Sequence, residues 1–249
     1  MNKLGILPAP VEIDKRHVYT HVVTGEMFTG VTSILSMKAQ DWLKFWTTKE
    51  NYNYMMSNWD VKKQYTEKEK EELLFKAKNA YNIKSKDALS KGKEAHNWVE
   101  DYLHEKNPAL PSDEKVLSCI KAFLEFEKQK KVEWLLSEFI VASEVNKYAG
   151  TLDAYAMVDG KKTLIDFKTS KGMSGDYFLQ TAAYQLALEE MGEKPDQRMI
   201  MRLPKDGGAL DVMIVPSKLE FDKKIFLALR ETYRWNLYMD RFREQGLIK

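Results

Sequence analysis

A chain of 249 residues, 44% hydrophobic and 31% charged, is long enough to bury a substantial core and suits one elaborated domain or one domain with a helical addition. Its formal charge of +2 does not announce a nucleic-acid binder, so any basic surface has to be local, as at Lys128, Lys130 and Lys131 or at Lys161, Lys162, Lys168 and Lys171. Cys119 is the single cysteine, which excludes an internal disulfide and a thiolate cage for zinc or an iron–sulfur cluster, and no apolar run approaches the roughly 18 residues a membrane span requires.

Residues 17 to 29 read as a short hairpin turning at Thr24-Gly25-Glu26. His17 and His21 invite a zinc reading, but four strand residues span roughly 13 Å, too far for two ligands of one ion. Val31 to Leu35 leads into a helix over about 38–50 with Trp42, Phe45 and Trp46 at helical spacing. Such rings can stack unpaired bases; the stronger expectation is packing, because a helix needs an apolar stripe to bury itself. Thr66 and Glu69 have the capping-box form and start a charged helix to about residue 79. A second helix, over about 85–105, turns Leu89, Gly92, Ala95 or His96, Val99 and Leu103 inward. After a loop at Pro108 to Pro111, Ser112 can cap a helix over about 113–131, in which Cys119 sits beside Val116, Ile120 and Phe123 as an ordinary buried thiol.

Residues 132 to 144 read as a strand or a bent pair carrying Glu138 and Glu144. Residues 150–158 and 163–169 alternate in character and form two further strands. Asp159-Gly160 between them supplies the two positive φ angles of a type I′ turn. If Val158 pairs with Lys161, Asp153 lands opposite Asp166, and Lys168 shares their face. A four-residue loop sets Asp153 opposite Lys168 instead, and a three-residue loop flips the parity unless a bulge restores it. Opposed carboxylates, with Cβ atoms about 5 Å apart, repel. A protonated carboxyl, the Lys168 ammonium or a bound divalent cation can each offset that repulsion.

A helix over about 176–191 places Gln180 and Tyr184 on one face. Strands over 197–203 and 209–215 follow, joined by the turn Pro204 to Gly208. Ser217 to Glu220 is another capping box, opening a long helix that bears Phe221, Ile225, Leu229, Tyr233 and Leu237 and is expected to brace the sheet. The order helix, three strands, helix, two strands specifies an α/β core with a mixed central sheet covered by helices.

Four motifs in this order carry a resemblance. Gly92 with His96, then Glu138 ahead of G-T-L-D at 150–153, then I-D-F-K at 165–168, then Gln180 with Tyr184 are similar to the PD-(D/E)-x-K nuclease superfamily. The nearest pattern is its RecB-like exonuclease branch, which includes phage recombination exonucleases and the mitochondrial genome maintenance exonuclease, and the likeness covers about residues 90–190. It implies a restriction-endonuclease-like core over 85–249 with a C-terminal bracing helix, and an N-terminal hairpin and helical cover over 1–84.

By the same resemblance, His96, Asp153, Asp166 and the backbone carbonyl of Phe167 hold Mg²⁺ or Mn²⁺. Lys168 serves the attacking water, Glu138 holds a metal or water, with Glu144 its rival for that place, and Gln180 and Tyr184 position Lys168 or the DNA. Imidazole suits Mn²⁺, which is expected to support activity at least as well as Mg²⁺. Relatives with a four-cysteine iron–sulfur cluster differ from this chain. Gly160-Lys161-Lys162-Thr163 is not a P-loop, so no ATP is expected, and the absence of H-E-x-x-H disfavours a zinc hydrolase. The expected activity is metal-dependent hydrolysis of DNA from a free end, in recombination, repair or replication, in the cytoplasm of a bacterial or phage-infected cell. A recombination or single-strand-binding protein is a possible partner class, and no membrane is expected. The competing expectations are a non-cleaving DNA-end-binding accessory protein of the same fold and an endonuclease.

Overall fold

The structure, a computed structural model, describes residues 2–14, 18–38 and 41–247, with residues 41–43 described by backbone alone. His17 and the side chain of Trp42 therefore lie outside the described residues. In chain order the elements are β1 (Val11–Ile13), β2 (Tyr19–His21), β3 (Met27–Gly30), α1 (Val31–Leu35), α2 (Asp41–Asn58), α3 (Glu67–Leu103), α4 (Glu114–Gln129), β4 (Val132–Ser143), β5 (Tyr148–Val158), β6 (Lys161–Lys168), α5 (Gly175–Glu190), β7 (Gln197–Arg202), β8 (Asp211–Pro216) and α6 (Phe221–Glu244). No helix among the described residues is long and apolar enough to cross a membrane.

Two compact units emerge: Met1–Met37 with Ala95–Lys249, and Lys38–Glu94. This division differs from a split at 84/85. The N-terminal hairpin joins the core because β3 pairs in parallel with β5, Thr29 beside Tyr148 and Gly30 beside Ala149. Nothing local in residues 27–30 signals a partner more than a hundred positions away.

The larger unit is α/β, with a mixed central sheet in the order β1-β2-β3-β5-β6-β7-β8 and β4 along the other edge of β5. The β5–β6 hairpin has the two-residue turn expected. Asp159 and Gly160 take φ of 49° and 82°, and Val158 pairs with Lys161. Strand β6 then runs parallel to β7 through the crossover helix α5, and β8 returns antiparallel. Period-2 alternation sends Ala154, Ala156, Ile165 and Phe167 to one face, where α4 and the last turns of α3 cover them. Tyr155 and Leu164 point to the other face, under α1, α5 and α6.

Helix starts depart from expectation in two places. Asp113 rather than Ser112 caps α4, accepting from the backbone N–H groups of Lys115 and Val116. The capping box at Ser217 does not form; α6 starts at Phe221 with no side-chain cap. Its buried face is Asp222, Lys223, Phe226 and Arg230, while Phe221 stays exposed. The rotation follows from Arg198 on β7, which is fully buried. Its guanidinium donates to the carbonyl of Phe178 at 2.9 Å and pairs with Asp222, so α6 must turn its polar side toward the sheet. Cys119 is buried as expected, its thiol 3.4 Å from the carbonyl of Leu203, and burial pushes its pKa up to about 11.

In the smaller unit, the capping box at Thr66 and Glu69 is present, with reciprocal bonds of 2.9 and 3.3 Å. α3 is one continuous helix where the sequence suggested two, because residues 80–84 contain neither glycine nor proline to end it. Leu89, expected inward, is exposed. Trp46 meets Tyr81 edge-on at 4.7 Å and Lys84 pairs with Glu50 at 2.6 Å. Phe45, expected to pack, is 77% exposed.

Candidate active site

The site forms where β5 changes neighbours. β4 follows one edge of β5 throughout. On the other edge, β6 pairs over residues 154–158 and β3 over 148–149, leaving a fork between them. Asp153 sits in that fork, one residue past the last β5–β6 pair, and Asp166 is its partner in register. Freed from the ladder, the N–H of Phe167 donates instead to Asp153 Oδ2 at 2.7 Å. A carboxylate thus occupies the place of a strand carbonyl.

Across the other edge of β5, the ladder runs from Ser137↔Ala154 to Phe139↔Leu152 and skips Glu138. Glu138 has φ +47°, uncommon for a residue with a Cβ, and the strand has already shifted register between Trp134 and Leu136. This irregular stretch turns Glu138 toward Asp153. His96 arrives from α3, where Ala95, Trp98 and Val99 are buried and anchor the helix. Its ring meets Phe167 edge-on at 6.2 Å, and its Nδ1 is 3.9 Å from Asp153 Oδ2. One ligand atom from each of His96, Glu138 and Asp153 lies within 4.8 Å of the others. Glu144, the rival acid, lies elsewhere, 3.9 Å from His21. His21 itself accepts from the N–H groups of Val23 and Thr24 and so holds the β2–β3 turn.

Lys168 continues the β6 side. Its ammonium donates to Asp166 Oδ1 at 3.0 Å and comes within 2.8 Å of Oδ2, an oxygen that receives no aligned hydrogen bond. It also donates to Gln180 Oε1 at 3.0 Å, and Gln180 Nε2 donates to the hydroxyl of Tyr184 at 2.8 Å. These two α5 residues share the face turned to β6, as their spacing requires. Three residues were not legible as site members. The ring of Tyr177 lies 5.0 Å from the Lys168 ammonium, Glu100 raises the pKa of Glu138, and Lys205 lowers that of His96. The first two had a signal: Tyr177 is three positions before Gln180, and Glu100 four after His96. Lys205 had none, since only the β7–β8 turn brings it near.

The electrostatics describe a negative site short of positive charge. Loss of water, then Asp153 and Glu100, push the Glu138 carboxyl up to about 8. Burial also raises Asp166, to about 6, with Lys168 opposing and Asp153 reinforcing, and it raises Asp153 against the pull of Lys168 and the Phe167 N–H. Burial pulls Lys168 down, but Asp166 and Asp153 outweigh it and its pKa ends above the usual value. Lys168 therefore remains an ammonium and acts as a donor. His96 is lowered, first by burial and then by Lys168, which leaves it a neutral imidazole able to bind a cation. Two acids, Glu138 and Asp153, one neutral imidazole and an Asp166 oxygen without a hydrogen bond are a donor set that fits a hard or borderline divalent ion.

No protein-family model matches the chain, and no curated protein matches it. The crystal structure of SSO0001 is similar at 20% identity and a TM-score of 0.32 over 48% of this chain, which spans 59% of that protein's length. The crystal structure of LHK-Exo in complex with dAMP is similar at 11% identity and a TM-score of 0.36, over 87% of this chain and 94% of that one.

Proposed function

We propose that the chain is a metal-dependent deoxyribonuclease acting on DNA ends. The observation that carries this reading is the convergence of His96, Glu138 and Asp153 within 4.8 Å, beside a buried Asp166 paired with an ammonium. Phosphodiester cleavage needs three things at one point: a counter-charge for the phosphate, an activated water and a donor for developing charge. His96, Asp153, Asp166 and the Phe167 carbonyl would hold Mg²⁺ or Mn²⁺, with Glu138 completing the set directly or through water. Such an ion, when bound, neutralises phosphate oxygens and lowers the pKa of water.

The chain's own groups supply the rest. Lys168 keeps its proton, so it orients the attacking water's oxygen or stabilises charge growing on the phosphate, and it does not serve as the base. Gln180 fixes one of the three ammonium N–H directions, and Tyr184 holds the Gln180 amide from behind. The Tyr177 ring stands against another side of the cation. Asp153 is held by the Phe167 N–H, so its free oxygen has a set direction before any ligand arrives. Action from an end, rather than within the strand, follows the family resemblance.

Incubation of end-labelled linear, circular and single-stranded DNA with Mg²⁺, Mn²⁺ or EDTA tests the reading. Linear DNA should be degraded with either metal and spared with EDTA. Lys168→Ala should lose cleavage while keeping DNA binding and its fold; near-normal cleavage by that variant refutes the role of Lys168. Cutting of circles replaces the end-directed activity by an endonuclease.

A further inference from the structure

The outer face of α2 is a surface that the nuclease chemistry leaves unused. Phe45, Tyr52 and Met56 follow one another at helical spacing and are 77%, 61% and 65% exposed. Another side of the helix carries Trp46, which meets Tyr81, and Glu50, which pairs with Lys84. A concavity on the outer face is lined by Lys44, Phe45, Thr48, Lys49 and Tyr52. The charge of the whole chain is distributed to match. Residues 38–94 hold 13 lysines against nine aspartates and glutamates, whereas the chain as a whole has 39 basic and 37 acidic residues, so the balance outside this segment is reversed.

We propose that this face of α2 binds single-stranded nucleic acid, Phe45 and Tyr52 stacking on unpaired bases while Lys44 and Lys49 meet phosphates. Bases in a duplex keep their faces inside the stack, so rings standing on the outside of a helix reach them only in a single strand. Seven residues separate the two rings, about 10 Å along the helix axis, the length of about three stacked nucleotides. A polyanion also matches a concavity lined by Lys44 and Lys49, in a segment with 13 lysines against nine acids, better than a protein helix, whose partner surface would have to supply carboxylates and an apolar ridge together. The proposal deepens the nuclease reading and rests on it for the choice of nucleic acid as ligand.

Fluorescence anisotropy of a labelled oligothymidylate and of a duplex of equal length, titrated with the full chain in EDTA, tests the inference without any cleavage. Phe45→Ala/Tyr52→Ala should weaken oligothymidylate binding about tenfold or more and leave the duplex unaffected. Lys44→Gln/Lys49→Gln should lower the slope of log affinity against log salt by about 1.4. All four positions are exposed, so circular dichroism should not change. Unchanged oligothymidylate affinity in the ring variant overturns the inference, as does an equal loss on the duplex. Self-association of the wild type in sedimentation without DNA, abolished by the ring variant, assigns the face to a second copy instead. Binding with the expected ring and salt dependence in a protein that never cuts DNA with Mn²⁺ would leave the inference standing and remove the nuclease reading. Cleavage with ring-independent binding does the reverse.

Discussion

Replacing Gly150 by alanine tests the chain of contacts behind Lys168 without touching a charged group. A Cβ at position 150 would stand 2.5 Å from Tyr184 Cε1 and 3.2 Å from Val31 Cγ2. Ordinary contact begins near 3.4 Å, so the Tyr184 ring must retreat by about 0.9 Å. The φ of Gly150 is not in the left-handed region, so the backbone accepts alanine and the effect is steric alone. Without the clash, the substitution would stabilise the protein by about 0.4–1 kcal/mol through the unfolded state. With it, forced repacking costs about 1–3 kcal/mol, and about 2 kcal/mol lowers the Tm of a chain this size by about 5 °C. The displaced ring carries the hydroxyl that holds Gln180, which in turn holds Lys168. A shift near 1 Å at a positioning group reduces kcat up to about a hundredfold, with KM for DNA little changed. The assay is thermal unfolding plus steady-state cleavage for Gly150→Ala, Tyr184→Leu and the double variant. The double variant should unfold at or above the temperature of Tyr184→Leu, because the clash has gone. A raised Tm in the single variant, or strictly additive losses in the double, would refute the reasoning.

In metal-free protein Glu138 and Asp166 hold their protons up to about pH 8 and 6. The folded state therefore binds more protons than the unfolded chain between about pH 4 and 8, and stability falls as pH rises through that window. Tm in EDTA should be lower at pH 8 than at pH 5, Glu138→Gln should flatten the difference, and Mn²⁺ should raise Tm more at pH 8. Arg198→Met strands the buried Asp222 and should cost about 3–5 kcal/mol in urea unfolding, whereas Arg198→Met/Asp222→Leu should cost much less. Additive costs would contradict that account.

Much of the site was legible because its residues lie on short-period elements. Alternation and the Asp-Gly turn were enough to place Asp153 against Asp166 with Lys168 beside them, and i, i+4 spacing paired Gln180 with Tyr184. What escaped depends on contacts distant in sequence. The parallel pairing of β3 with β5 makes the fork that exposes Asp153, yet residues 27–30 carry no trace of it. The positive φ of Glu138 is imposed by an irregular ladder, not by a residue that prefers it. The residues α6 buries most deeply are set by Arg198, some two dozen residues earlier, so that of its spaced apolar residues Leu229 and Tyr233 pack on the core while Phe221 stays exposed. Continuity of α3 through residues 80–84 was readable in principle, since nothing there breaks a helix.

Arg198 also bears on the order in which the molecule can be completed. A growing chain that has reached the end of β8 already owns the guanidinium but not its counter-ion, because Asp222 has yet to be made. Until α6 is supplied, closing the sheet over β7 means stranding a cation away from water. Maturation of the interior thus waits for the final helix, and a polypeptide interrupted before residue 222 keeps an unsettled strand for chaperones and proteases to find.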